Sequence, residues 1–363
     1  MKDYRKEVAR IVVSCLLILL MAEAGLRIFF FLTNRDIGAF DPGYFLYRPD
    51  IFTGYSLAPN SKINHITLKT KINSLGYRGR EFTAKKPDGT YRIIILGGSE
   101  SYGHGLNDGE TWPDRLQILF DADKSNKVEV LNTSVDGFSS FQALTSFATR
   151  LLDFDPDLVL CYLGWNDIKY WPLISPSRGF ADTGLAERKD SPSNIDRWLH
   201  YSYLYILGRA LRNKIPREFV GISPPAPASQ PPDTDSDLEY GRRVFERNIR
   251  SIVAIAKANH IRVCLINQLN LLSRPLQDQE KSRIYFIMKE DKLVKAVRQV
   301  RVSLERISEE EDVPFVDLNA LITPDLTVLS DHVHATPKGS SEIARKLHDY
   351  LIGSGLLINA GKS

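Results

Sequence analysis

The chain opens with one long apolar run and later settles into a regular alternation of short apolar runs and longer amphipathic ones. Residues Ile11 to Leu32 read IVVSCLLILLMAEAGLRIFFFL. As a helix this run covers about 33 Å, enough to cross a hydrocarbon core about 30 Å thick. Glu23 and Arg27 interrupt it. They lie four residues apart, so they share a helix face and can pair. Both fall in the outer half, where long side chains reach back to the interface. From Tyr91 five short runs follow: Arg92–Leu96, Val128–Asn132, Leu158–Leu163, Arg262–Ile266 and Pro314–Asp317. Each is β-branched or Leu-rich and too short for a helix, which suits strands buried on both faces. Helix-like stretches lie between and after them: Thr111–Ala122, Ser140–Leu152, Leu238–His260, Lys281–Glu311 and Pro337–Leu351. This alternation predicts βαβ units and a parallel sheet with helices on both sides.

Three regions follow: a membrane anchor over 1–33, a Tyr-, Asn-, Pro- and Gly-rich stalk with short strands packed on the main domain over 34–90, and the α/β domain over 91–355. An insertion, 168–238, breaks the alternation; its second half, ISPPAPASQPPDTDSD, reads as a loop or linker. Residues 269–290, after the fourth strand, suit a small lid. Lys2, Arg5, Lys6 and Arg10 precede the apolar run, and the next basic residue after it is Arg35. That asymmetry puts the N-terminus inside and the rest outside the cytoplasm, periplasmic or at the cell surface. An uncleaved anchor competes with a signal peptide cut at Ala22-Glu23-Ala24. The apolar character that resumes at Phe29–Phe31 favours the anchor, in contact with lipid through residues 11–32.

Composition changes this picture little. Apolar residues make up 43% and charged residues 25%, which excludes wholesale disorder and fibrous repeats. Lys and Arg total 47 against 44 Asp and Glu, a net charge of +3 with no long basic block, so a nucleic-acid partner is not expected. The three cysteines form no CxxC or His/Cys ligand spacing, so neither a metal site nor a disulfide framework is expected.

Chemistry gathers where strands end. The first strand runs into Gly97-Gly98-Ser99-Glu100, whose glycines permit a tight turn that lifts a hydroxyl above the sheet edge. The second leads to Asp136-Gly137-Phe138, where Gly137 is either a plain turn or a backbone N–H donor to a reacting oxyanion. The third ends in Gly164-Trp165-Asn166-Asp167, where Asn166 suits a helix N-cap or an oxyanion donor. After the fifth comes Asp331-His332-Val333-His334. A carboxylate three residues before His334 can take its Nδ1–H, leaving Nε2 to accept a proton from Ser99. His332 is too close to Asp331 for that geometry. His104, Trp165 and Trp171 are candidate substrate contacts. Asp153, Asp155 and Asp157 read as a helix end, and Cys161 and Cys264 as core.

These blocks, in this order over about residues 91–350, resemble the SGNH/GDSL hydrolase superfamily. The resemblance implies a three-layer αβα sandwich with a central five-stranded parallel sheet, here preceded by one transmembrane helix. It implies a nucleophile at Ser99, an oxyanion hole formed by Ser99, Gly137 and Asn166, and a catalytic pair at Asp331 and His334. One departure stands out: the usual Gly-Asp-Ser reads Gly97-Gly98-Ser99. The layout also looks like membrane-anchored bacterial envelope members, some of which transfer acetyl groups.

The resulting expectation is a membrane-anchored serine esterase that needs no cofactor and removes acyl groups, foremost acetyl, from a small molecule or an envelope or exported carbohydrate. An O-acetyltransferase acting on extracytoplasmic polysaccharide is the runner-up and would need a multispanning partner to deliver its acyl donor. A catalytically silent module binding polysaccharide or a partner protein is the third reading; the complete set of Ser99, Asn166, Asp331 and His334 argues against it. A lipase or thioesterase with an acyl groove over 168–212 is a further reading.

Overall fold

The computed structural model describes residues 2–33, 46–64, 69–123, 127–171, 199, 202–214, 235–284 and 288–357. Residues 34–45 of the stalk and most of the 168–238 insertion, including its Pro-rich half, lie outside the described residues.

Helix α1 (Lys2–Leu32) carries the apolar run; an 18-residue window within Tyr4–Leu32 has a mean hydropathy of 2.2. At 1.5 Å per residue that stretch is long enough to cross a bilayer. Its apolar side chains, from Ile11 through Leu20 and again at Ile28 and Phe31, are exposed nearly all round, which suits a solvent of lipid rather than water. Arg27 and Glu23 pair at 2.8 Å. Glu23 also accepts hydrogen bonds from Ser202 Oγ and from the Tyr203 and Leu204 amides, all at 3.0 Å. The carboxylate thereby caps a second helix, α6 (Tyr203–Lys214), and the Arg27 guanidinium lies 4.7 Å from the Tyr203 ring centre.

Two antiparallel hairpins follow, β1 (Tyr47–Asp50) with β2 (Gly54–Leu57) and β3 (Lys62–Asn64) with β4 (Lys69–Lys71). The main sheet has five parallel strands: β5 (Tyr91–Gly97), β6 (Val128–Leu131), β7 (Leu158–Tyr162), β8 (Arg262–Asn267) and β9 (Phe315–Asp317). Their spatial order is β6-β5-β7-β8-β9. Successive side chains point to opposite faces. Ile94, Leu96, Val159, Cys161, Val263 and Leu265 therefore enter one core with α4 (Ser140–Thr149), α7 (Asp235–Ala258) and α9 (Glu290–Glu311). Ile93, Ile95, Leu158, Leu160, Cys264 and Ile266 enter the other with α3 (Trp112–Ala122) and α11 (Pro337–Gly353). This is the parallel sheet with helices on both sides that the alternation predicts, and the three-layer αβα sandwich that the resemblance implies.

Most element ends fall within three residues of expectation, and two helices differ in a way the backbone explains. The helix read from Ser140 to Leu152 stops at Thr149, and Leu151–Phe154 form a 3-10 turn closed by Asp155 at φ +49°. Asp157 then receives the Arg92 amide at 2.6 Å and Lys86 Nζ at 2.9 Å, so these acids do terminate an element and join it to the sheet. The helix read from Lys281 begins at Glu290, because Lys289 has extended backbone, ψ 144°.

Candidate active site

In an open α/β sheet, ligands sit beyond the carboxyl ends of the strands, where the strand order reverses. Here β5 is flanked by β6 on one side and β7 on the other, so that point lies at its end. Strand β5 runs through Gly98 into a single helical turn, α2 (Ser99–Tyr102), with Ser99 as its first residue. Ser99 Oγ lies 2.8 Å from His334 Nε2, and His334 Nδ1 lies 2.6 Å from Asp331 Oδ2. Asp331 Oδ1 accepts the Val333 and His334 amides at 2.9 and 2.8 Å, which folds the Asp-x-x-His loop back on itself. A bridge between Leu329 and Ala335 closes its base.

Burial disfavours charge on His334. The hydrogen bond to Asp331 and its charge outweigh that, with Glu100 and Asp136 adding to it, and the imidazole pKa is raised above its usual 6.5. Burial likewise disfavours the Asp331 carboxylate, but the bonds from His334 and the Val333 amide hold it far below the ordinary range. An anionic Asp331 thus faces an imidazole tuned to take a proton.

On the other side of Ser99, the loop after β6 passes through Gly137 at φ +82°, a left-handed turn that glycine adopts without strain. Asn166 lies in α5 (Trp165–Tyr170), which starts after Gly164 at φ +146°. Its Nδ2 donates to the Phe138 carbonyl at 2.9 Å, which brings the Asn166 amide beside the Phe138–Ser139 peptide, one residue past Gly137. A Cβ on Gly98 would lie 2.3 Å from that Nδ2. The Asn166 amide and the Phe138 carbonyl, 3.0 Å from the same Cβ position, therefore lie together beside the Ser99 turn.

The candidate substrate contacts separate. His104 stands beside the His334 imidazole, with ring centres 5.2 Å apart, and its side chain is 59% exposed. Trp165 is buried, its ring packed 4.2 Å from that of His332, and its amide donates to Gln268 Oε1 at 2.8 Å. It backs the Asp-x-x-His loop instead of presenting a face to solvent. The expectation that Trp171 lines the cleft is corrected: it is 1% exposed and embedded in the core against Gly241. Its apolar ring is worth more against α7 than in water. His332 is buried, and desolvation, with the neighbouring His334 adding to it, lowers its pKa despite Asp331.

Two buried acids escaped the sequence reading. Asp167 accepts Ser140 N at 3.0 Å and Ser140 Oγ at 2.5 Å, so it ties α5 to the start of α4; burial pushes its pKa up to about 7 despite those bonds. Glu100 is 4% exposed, and neither of its carboxyl oxygens has a hydrogen-bond partner among the described residues. Its burial raises its pKa to about 7. The acid beside Asn166 and the acid after Ser99 were both visible in sequence, but nothing in their spacing marked them as buried.

Residues 95–341 match the profile of the GDSL-like Lipase/Acylhydrolase family, well over half of the chain. The chain belongs to this family. It is thus a GDSL-like ester hydrolase with an αβα fold. Similar solved structures include a psychrotrophic esterase from Pseudoalteromonas sp., 18% identical, which covers 74% of this chain and 98% of its own with a TM-score of 0.43. A lipase/acylhydrolase from Enterococcus faecalis is 12% identical over 73% of this chain and 96% of its own, TM-score 0.43. A catalytic mutant of an acetylxylan esterase from Geobacillus stearothermophilus is 13% identical over 71% and 92%, TM-score 0.43. No curated protein matches the chain.

Proposed function

We propose that this GDSL-like hydrolase is a serine esterase that removes acyl groups, foremost acetyl, from a carbohydrate outside the cytoplasm while α1 anchors it in the membrane. The observation that carries the reading is the unbroken chain Asp331–His334–Ser99, with links of 2.6 and 2.8 Å. Ser99 Oγ attacks the ester carbonyl as His334 Nε2 takes its proton. The Ser99 and Gly137 amides and the Asn166 side chain hold the oxyanion that forms. As the tetrahedral centre collapses, the C–O bond to the alcohol breaks and His334 returns the proton to the leaving oxygen, while Asp331 stabilises the imidazolium. Water, deprotonated by the same imidazole, then cleaves the acyl-Ser99 ester to give the free acid and Ser99. With a sugar hydroxyl in place of water the same intermediate would yield transfer.

The test is 4-nitrophenyl acetate cleavage by the full-length protein in detergent. Ser99→Ala should abolish nitrophenol release, and Asn166→Ala should lower turnover about 10²- to 10³-fold. Wild-type turnover in Ser99→Ala would sink the reading.

A further inference from the structure

A second histidine–carboxylate pair stands at the mouth of the site, and the catalytic chain does not use it. His104 Nδ1 lies 3.0 Å from Asp136 Oδ2, the same pairing that Asp331 makes with His334. Both partners are held from behind. The His104 amide donates to the Ser99 carbonyl at 3.0 Å, so its position is tied to the nucleophile. Gly103 before it sits at φ +87°. The buried guanidinium of Arg78 donates to the carbonyls of Tyr102 (2.9 Å), Gly103 (2.6 Å) and Leu106, pinning both sides of the His104 turn. Asp136 is braced from the first hairpin: Tyr47 Oη donates to its carboxylate at 3.2 Å and Tyr55 Oη to its carbonyl at 3.0 Å. The Tyr55 ring packs edge-on against Phe138, with centres 5.3 Å apart. A surface histidine making an incidental ion pair would not need two braced loops beneath it.

We propose that His104, oriented by Asp136, is the specificity residue that accepts a hydrogen bond from a free hydroxyl next to the ester on the leaving alcohol, so that the preferred substrates are neutral, partly acylated sugars or polyols. The inference rests on the esterase reading above and names its substrate class. With Asp136 accepting a hydrogen bond from Nδ1–H, Nε2 presents its lone pair at the rim. Among the described residues, Nε2 makes no hydrogen bond. The leaving oxygen must sit against His334 Nε2 to be protonated, and the His104 ring centre is 5.2 Å from that of His334. A hydroxyl on the adjacent carbon lies about 3 Å from the ester oxygen, which spans that gap with one hydrogen bond. Neutrality follows from the surroundings: Asp331, Glu100 and Asp136 all act on His334 electrostatically, so an anionic alcohol would meet repulsion.

The experiment compares two substrates that differ only in that hydroxyl, methyl 2-O-acetyl-β-xylopyranoside and its 3-O-methyl ether, with the full-length protein in detergent. The wild type should prefer the free hydroxyl in kcat/KM by about five- to tenfold, the worth of one hydrogen bond. His104→Ala and His104→Asn should bring that ratio close to one. His104→Gln, whose amide reaches the Nε2 position, should recover part of it. Asn instead reproduces the Nδ1 contact with Asp136. A wild-type ratio in His104→Asn would therefore reduce His104 to a brace and overturn the proposal. It is also overturned if the wild type fails to distinguish the two esters, or cleaves neither, while its nitrophenyl acetate turnover still depends on Ser99; the esterase reading would then stand alone.

Discussion

Gly98 and Glu100, the neighbours of the nucleophile, account for each other. A Cβ at 98 would lie 2.8 Å from Glu100 Oε2 as well as 2.3 Å from Asn166 Nδ2. The Glu100 carboxyl therefore folds back into the space that the acid of a Gly-Asp-Ser sequence would enter, and only glycine fits beside it. This carboxyl raises the pKa of His334, although less than Asp331 does. The base must be neutral to work, so kcat/KM should rise with pH through a limb whose midpoint lies above 6.5. Glu100→Gln removes one of the charges that favour the imidazolium, so its limb should move to lower pH. A pH–rate profile of the pair checks this; an unmoved limb would count against the electrostatic link. Such detail was beyond the sequence. Asp331 and His334 could be matched because a three-residue loop fixes their geometry locally. The fold-back of Glu100, the burial of Trp171 against Gly241 and the Asp167–Ser140 bond depend on residues far apart in the chain.

At the scale of elements, the placement of His334 depends on how α11 meets the loop before it. Thr336 caps that helix, and its amide donates to the Val328 carbonyl at 2.9 Å. A Cβ on Gly339, in the first turn, would come within 1.9 Å of the same carbonyl oxygen. Because that obstacle is backbone, no rotamer change relieves it. Gly339→Ala should therefore cost about 1–3 kcal/mol of stability and lower kcat by shifting the Asp-x-x-His loop away from Ser99; thermal melts and steady-state rates check both. The strands were legible almost to the residue, since runs buried on both faces are uniformly apolar. Helix ends were less so. Lys289 and Asp155 stop or start elements through backbone angles that neither residue's identity dictates.

At the scale of the molecule, the segment before the sheet braces the loops beside the Ser99–His334 pair. Its hairpin tyrosines and Arg78 support both loops that carry His104 and Asp136, and Tyr77 packs into the main core. A fragment 34–363, freed of α1, should keep nitrophenyl acetate turnover. A fragment 84–363, which lacks Tyr47, Tyr55 and Arg78, should lose most of it. Equal rates would mean that this segment is a mere spacer. The composition of 34–90 suggested a stalk with short strands packed on the main domain; which of its tyrosines face the loops was not legible, because tyrosines scattered among glycines and prolines show no periodicity.

Contact between Glu23 and the start of α6 also has a history in time. A chain is made from its N-terminus, so 180 residues separate Glu23 from Tyr203, whose amide it accepts. At 5–20 residues per second, that is roughly ten to forty seconds of synthesis. Throughout that interval, the partner within reach of the carboxylate is Arg27, one helical turn away. The ion pair is thus a holding arrangement: it keeps an acid tolerable inside an apolar helix until the backbone it will cap has been made.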